Sequence, residues 1–268
     1  MTESRDPMAL VAAAAGAITT AGMIATPLLP RGGPGRRLLS SAVVIGLAAT
    51  TKANVTRRWG VGRAGVSAIA VGATTAAVER IGTRTGIPFG RYEYSGALRP
   101  EVAGVPAIVP LAWFAMAVPA REAAHAALGD RSSAPSRVLL GAAALTAWDL
   151  FLDPQMVGEG YWTWARRGVY RGIPATNFVG WFVTGVGVMS ILERTLPVEP
   201  ACTEGQASVP GTDARRCASG ALVGQYGFMA VMETVGFARY FRDPLVAIVG
   251  GAAMLSVAAA AIAGKVRR

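Results

Sequence analysis

Long apolar runs separated by short polar segments set the pattern of this chain. A helix needs about 20 residues to cross a hydrocarbon core of about 30 Å. Five runs meet this requirement: Met8–Leu29, Ala103–Ala120, Pro174–Leu192, Pro244–Gly264, and Ala218–Met232 with its continuation through Glu233 to Ala238. Three shorter runs have charged flanks that can extend their reach, namely Leu38–Thr51, Ala64–Val78 and Val138–Leu152. The pattern predicts an all-α, polytopic transmembrane bundle of about eight spans, with seven as the alternative, forming one integral membrane domain over residues 1–268.

The composition supports a membrane protein. Of the 268 residues, 52% are hydrophobic and 16% are charged, whereas an ordinary soluble domain carries about 25% charged residues. The net charge of +10 comes from basic residues between apolar runs, where lipid head groups are the expected partners. No basic stripe is interleaved with aromatic residues, so nucleic acid is not an expected partner.

Topology is only partly determined by the sequence. The first run is predicted to be an uncleaved span rather than a secretory signal peptide, because no small-x-small cleavage site closes it. In an eight-span bundle the basic residues divide almost evenly between the two faces, so the positive-inside rule does not decide the orientation. The basic end with Lys265, Arg267 and Arg268 favours termini in the cytoplasm.

The two cysteines, Cys202 and Cys217, mark the segment 193–217, which is rich in Pro, Gly and Ser and is predicted to be a flexible loop. Termini in the cytoplasm would place this loop there too, so two free thiols are expected.

Two polar segments are neither simple turns nor simple loops. In Glu79–Pro106, three helix breakers (Gly86, Pro88 and Gly90) are followed by an aromatic and acidic triplet. Trp148–Trp181 contains four of the six tryptophans. Two predicted spans lie between the segments, so the chain would cross the bilayer twice and return to the same face. Both segments, the core of the region 79–193, are therefore expected together on one side of the membrane.

Asp149 and Asp153 are the leading catalytic candidates. They are four residues apart, so they share one helix face at about 6 Å. Two like charges in a low-dielectric place are not expected both to ionise. One carboxyl group would keep its proton and act as a general acid, and the other would accept a proton or stabilise a cation. In the structural alternative, Asp153 ends its helix before Pro154 and Asp149 pairs with Arg166 or Arg167.

Other residues of the polar segments are candidates for the same site. Glu79 is a third catalytic candidate, although an ion pair with Arg80 or Arg84 is an equally simple explanation. Aromatic faces could line a site for a long conjugated or isoprenoid chain and stabilise a carbocation; the alternative is an interfacial aromatic belt. The predicted substrate-binding residues are Tyr92, Glu93, Tyr94, Trp148, Trp162, Trp164, Asn177 and Trp181. For Asn177 the alternative is a helix cap, and for Glu93 a surface position.

Three further observations narrow the chemistry. His125, the one histidine, is predicted to lie at a solvated helix end. Glu233 lies deep in its apolar run, as either a buried structural group or a proton-handling one. Metal-ligand spacing of Cys and His is absent, and so are phosphate-binding and dinucleotide-binding motifs. No metal and no cofactor are therefore expected.

The polar segments carry a family resemblance. The motifs TGIPFGRYEY, GVPAIVPLAWF, AWDLFLDPQM, YWTW and GIPATNFVGW resemble, in this order, the CruF-type family of carotenoid biosynthesis membrane proteins. The resemblance covers Glu79 to Glu193, whereas Met1–Arg63 and Pro197–Arg268 share only hydrophobicity with the family. These proteins are acyclic carotenoid hydratases, bisanhydrobacterioruberin hydratases among them. The resemblance implies a bacterial-type cytoplasmic membrane enzyme, a hydro-lyase, that adds water to a terminal C=C bond of a long acyclic carotenoid and gives a tertiary alcohol. The resemblance is also compatible with other carotenoid biosynthesis enzymes as partners of this protein.

The candidate residues suit this reaction. Hydration needs a proton donor strong enough to form a tertiary cation and then a water molecule, with no redox cofactor. Asp149 or Asp153 would protonate the less substituted carbon, and tryptophans would stabilise the cation. A water held by an aspartate, Tyr92 or Asn177 would then capture the cation. Two alternatives remain open: a non-catalytic isoprenoid or lipid transporter or binding protein, and a carotenoid cyclase or isomerase.

Overall fold

The computed structural model describes residues 6–130, 132–198 and 212–266. Seven α-helices account for most of these described residues, with the bounds α1 Pro7–Ala25, α2 Pro34–Thr85, α3 Ile108–Leu128, α4 Ala134–Gly158, α5 Ala175–Thr195, α6 Thr212–Arg239 and α7 Pro244–Val266. Four short strands form two antiparallel pairs: β1 Tyr92–Tyr94 with β4 Trp162–Trp164, and β2 Glu101–Val102 with β3 Val105–Pro106. The prediction of an all-α membrane bundle is confirmed.

The predicted count of eight spans is not supported. Within the described residues, four helical segments are long and apolar enough to cross a membrane: Pro7–Leu28, Pro34–Thr85, Ala175–Thr195 and Pro244–Gly264. The predicted run Ala103–Ala120, which overlaps α3, is not among these four segments, and the packing of α3 gives a physical reason. All residues from Trp113 to Ala124 are buried, and α3 packs against α2, α4, α5, α6 and α7. This helix is surrounded by protein rather than lipid, so it accommodates the buried ion pair of Arg121 and Glu122.

Two of the predicted short runs, Leu38–Thr51 and Ala64–Val78, belong to the single helix α2. The 52 residues of α2 would be about 78 Å long if straight, far more than a bilayer core. Gly60 interrupts the helix with φ 87° and ψ 163°, a backbone conformation that is essentially restricted to glycine.

The chain folds back at Gly60. The Thr51 hydroxyl donates to the Ala115 carbonyl at 2.8 Å, and Trp113 Nε1 donates to Glu79 Oε1 at 3.2 Å. These partners on α3 are two residues apart, whereas Thr51 and Glu79 would be about 42 Å apart on a straight helix. The helix therefore consists of two antiparallel arms, 34–59 and 61–85, both of which pack on α3.

Replacement of Gly60 by Ala is expected to destabilise the protein. A Cβ at this position meets no atom within 4 Å, so the penalty is backbone strain alone, about 1–3 kcal/mol of unfolding free energy. Gly62→Ala is the matched control: it also meets no neighbouring atom, and its helical backbone favours Ala. Thermal unfolding in detergent should give a lower midpoint for Gly60→Ala and an unchanged or higher one for Gly62→Ala. Equal midpoints would contradict the fold-back.

The β1–β4 pair joins the two polar segments. Tyr92 pairs with Trp164 and Tyr94 with Trp162. Both segments therefore lie at the same end of the bundle, as the sequence predicts. Cys217 is exposed on α6, while Cys202 lies outside the described residues. Both ends of the segment predicted as a loop over 193–217 are helical, because α5 continues to Thr195 and α6 begins at Thr212.

Candidate active site

A partly open cavity lies where the polar segments meet the helices. Its wall combines residues from α2, α3, α4 and α5 with β1, β4 and their flanking segments. Eight of the eleven predicted site residues line it: Glu79, Tyr92, Tyr94, Asp153, Trp162, Trp164, Asn177 and Trp181. The structure thus gathers side chains that are up to 102 positions apart between Glu79 and Trp181.

Asp149 and Asp153 form a buried pair held by one amide. Asp149 is fully buried, and Asp153 and Asn177 are each only 2% exposed. The Asn177 Nδ2 atom donates to Asp149 Oδ2 at 2.9 Å and also to Asp153 Oδ2. Trp162 Nε1 donates to Asp153 Oδ1 at 3.0 Å. Asp153 lines the cavity and Asp149 lies behind it, and Asp149 Oδ1 has no hydrogen-bond partner among the described residues.

The structural alternative for this pair is not observed. Arg166 and Arg167 are exposed and do not reach Asp149. The helix α4 continues past Pro154 to Gly158. A proline within a helix leaves the carbonyl four residues earlier without its usual donor, and here the Tyr170 hydroxyl donates to the Leu150 carbonyl at 3.0 Å. This compensation keeps Asp153 on the helix face that it shares with Asp149.

Asn177 does not cap its helix. The residue at the N-cap of α5 is Pro174, and no side chain caps that end. The Asn177 side chain instead bridges the two aspartates, so α5 contributes a hydrogen-bond donor to the carboxyl pair.

Glu79 accepts three hydrogen bonds inside the bundle. The Tyr92 hydroxyl and the Tyr94 hydroxyl donate to Oε2, the second at 2.8 Å, and Trp113 Nε1 donates to Oε1 at 3.2 Å. The predicted ion pair with Arg80 or Arg84 is not formed. Glu79 and Asp153 line the same cavity, so the cavity holds a second acidic group besides the aspartate pair.

Strand alternation explains which residues of β1 reach the cavity. Successive side chains of a strand point to opposite faces, so Tyr92 and Tyr94 face Glu79 while Glu93 is exposed. Burial, together with the neighbouring Glu79, raises the pKa of the Tyr92 and Tyr94 hydroxyls above the ordinary value. Both hydroxyls therefore remain protonated donors at physiological pH. The structure does not bring Glu93 into the site.

Stacked indole rings form another part of the wall. Trp113 and Trp181 stack with centroids 3.9 Å apart and planes 14° apart. Trp148 meets Trp181 edge-on at 6.1 Å, but it lines a neighbouring cavity rather than this one. Trp113 was missed by sequence reasoning, although the motif GVPAIVPLAWF contains it. A tryptophan inside an apolar run beside a polar segment is the signal that could have found it.

The remaining titratable candidates lie elsewhere. His125 lies in the last turn of α3, as predicted, but it is half-buried rather than solvated, and its Nε2 lies 2.6 Å from Glu193 Oε1. Glu193 also pairs with Arg121 and Arg137, which makes this end of the bundle an ionic network. Glu233 is buried, with 7% exposure, and lines the neighbouring cavity.

Comparison with known proteins places the chain in a family. The family model described as "Carotenoid biosynthesis protein" matches residues 38–256. The chain belongs to this carotenoid biosynthesis family. The match extends well beyond Glu79 to Glu193, so the expectation that both ends share only hydrophobicity with the family is wrong.

A curated relative adds a narrower similarity. The chain is 33% identical over 125 residues to the bisanhydrobacterioruberin hydratase of Haloarcula japonica. The aligned part covers 46% of this chain and 42% of that protein, so the similarity spans less than half of the relative's length. No solved structure matches the chain.

Proposed function

We propose that this member of the carotenoid biosynthesis family is a hydratase that adds water to a terminal C=C bond of a long acyclic carotenoid and gives a tertiary alcohol. The observation that carries the proposal is the buried pair Asp149 and Asp153, held by Asn177 at the wall of an aromatic cavity. The relative's name, bisanhydrobacterioruberin hydratase, supports the same reaction. The enzyme acts in the cytoplasmic membrane, where it meets its substrate in contact with lipids and other carotenoid biosynthesis enzymes.

The first step is protonation of the alkene by Asp153. Two adjacent carboxyl groups away from water repel each other when both are charged, so the pair holds one proton between its members. Asp153 is the member that lines the cavity and can reach a substrate. Transfer of its proton to the less substituted alkene carbon leaves the positive charge on the tertiary carbon.

The cavity then stabilises the tertiary cation. Indole faces attract cations, and four tryptophans line the cavity: the stacked Trp113 and Trp181, together with Trp162 and Trp164. The aspartate pair, after losing its proton, places negative charge near the cation, and the Glu79 carboxyl group, held by Tyr92, Tyr94 and Trp113, adds a fixed dipole to the same wall. These groups are fixed before the reaction begins, so little reorganisation is required.

Water capture completes the reaction. A water molecule bonds through oxygen to the tertiary carbon, and a carboxylate takes the proton that this water loses. The Asp153 carboxylate recovers its proton in this way, so the enzyme returns to its starting state. The balance is one alkene and one water giving one alcohol, with no electron donor or acceptor.

Pigment mass tests the proposed reaction. Membranes containing the protein are produced in a host that makes lycopene, and pigments are analysed by retention and mass against a host without the protein. We expect products heavier than lycopene by one water for each hydrated end. A pigment of changed retention and unchanged mass would indicate cyclisation or isomerisation. Unchanged pigments bound to the purified protein would indicate transport or storage.

A further inference from the structure

A second cavity adjoins the candidate active site. It shares four wall residues with the first cavity: Ser40, Val44, Leu152 and Met156. Most of its lining is apolar, including four methionines. Glu233 of α6 also lines it, and no role for this side chain follows from the steps described above.

Glu233 differs from the other buried carboxyl groups at this end of the bundle. Glu79 accepts hydrogen bonds from Tyr92, Tyr94 and Trp113, and the aspartate pair from Asn177. Glu233 is 7% exposed and has neither a hydrogen-bond donor nor a cation as partner within the part of the chain that the structure describes. A buried carboxyl group without a protein partner is costly, so the cavity it faces must supply one.

Water is the partner that fits. Water can occupy about 230 Å³ of this cavity, many times the roughly 10–15 Å³ that one water needs on the same measure, and a cavity with polar groups in its wall can hold ordered water. An apolar polyene chain in the same place would leave the Glu233 carboxyl group without any partner. Further polar side chains line the cavity, among them Gln155 and Ser40, and Ser40 also lines the active-site cavity.

We propose that Glu233 holds water in the second cavity and that this cavity supplies the water that captures the cation beside Asp153. The inference rests on the proposed hydration. Glu233 is then a positioning residue: it retains water in a mostly apolar compartment, and the water reaches the reacting carbon past Ser40.

The cation can react in two ways, and the ratio of the two products reports specifically on the supply of water. In D2O, a deuteron from the carboxyl pair adds to the less substituted carbon and forms the cation. The cation either gains D2O and loses a deuteron to a carboxylate, which gives the alcohol, or it loses a proton from the deuterated carbon, which returns an alkene carrying one deuterium. A shortage of water slows only the first path, so the ratio of deuterated alkene to alcohol rises.

Three variants in membranes supplied with lycopene in D2O test this inference. We expect Glu233→Leu to raise the ratio of deuterated alkene to alcohol about tenfold. Glu233→Gln keeps a group that binds water and should stay within about twofold of the wild-type ratio. Val231→Ala, at an exposed position on the same helix, is the control for substitutions in α6. The amount of each protein in the membrane is measured alongside.

The outcomes separate this inference from the proposed function. A wild-type protein that neither hydrates lycopene nor incorporates deuterium overturns the proposed function itself. A wild-type protein that hydrates, with an unchanged ratio in Glu233→Leu, overturns only the role of Glu233. A parallel fall of both products in Glu233→Leu would indicate a structural role for Glu233. A lower KM for the carotenoid with an unchanged product ratio would place the polyene chain in the second cavity. Either result would also overturn the role of Glu233 in water supply.

Discussion

Asp153→Asn is expected to abolish conversion of the carotenoid, lowering the rate by about 10² to 10⁴, the range for loss of a general acid. The substitution preserves size and leaves an oxygen that can accept the bond from Trp162 Nε1. An amide cannot deliver a proton to the alkene, so the first step is lost. The amide nitrogen also replaces the oxygen that accepts from Asn177 Nδ2, so that hydrogen bond is lost as well. Pigment mass in the lycopene-producing host measures the effect.

Two other aspartate variants sharpen this test. Asp149→Asn should also lose activity, because the two carboxyl groups share Asn177 and together hold one proton. Asp243→Asn is the control: Asp243 lies at the same end of the bundle in a partly exposed ion pair with Arg171, outside the cavity. It should retain conversion. Wild-type conversion by Asp153→Asn would refute the assignment of the acid.

The aspartate pair was predictable because its geometry is local. Residues four apart on a helix share a face whatever the rest of the chain does, and this fixed the relation between Asp149 and Asp153. The convergence of the polar segments was predictable from chain connectivity, since two helices between them return the chain to the same end. The pairing of Tyr92 with Trp164 realises that prediction through backbone hydrogen bonds that the sequence did not indicate.

The partners of Glu79 were not predictable from local spacing. Arg80 and Arg84 are near in sequence, but the Glu79 side chain faces α3 and β1, where Trp113 and the two tyrosines provide donors. These contacts depend on how α2 folds back at Gly60. Nothing in the sequence distinguishes that glycine from others in the same helix, because its special backbone angles come from tertiary packing.

The hydropathy pattern was also a poor guide to the environment of the inner helices. It treats each run as though it faced lipid, whereas α3 is enclosed by five other helices. An enclosed helix can carry Arg121 and Glu122, because each finds a partner inside the protein. The same reasoning explains why Trp113 was missed: its contacts with Glu79 and Trp181 join helices that are distant in sequence.

Glu79→Gln is expected to lower conversion by about 10² to 10³, comparable to the loss of one preorganised electrostatic group. The carboxyl group accepts all three hydrogen bonds from Tyr92, Tyr94 and Trp113. The amide would turn a donor towards at least one of these donors, so the hydrogen-bond network that fixes this part of the cavity wall would be broken. Initial rates in membranes, with the protein amount measured in parallel, would give the effect.

Glu93→Gln is the matched control for Glu79. Glu93 lies on β1 between the two tyrosines that bind Glu79, but its side chain is exposed. It should therefore keep wild-type conversion, although sequence proximity made it a candidate for substrate binding. Loss of activity in Glu93→Gln with normal activity in Glu79→Gln would place the substrate on the outer face of β1 and contradict the cavity as the reaction site. The opposite result would locate the reaction on the face of β1 that carries Tyr92 and Tyr94, which line the cavity together with Glu79 and Asp153.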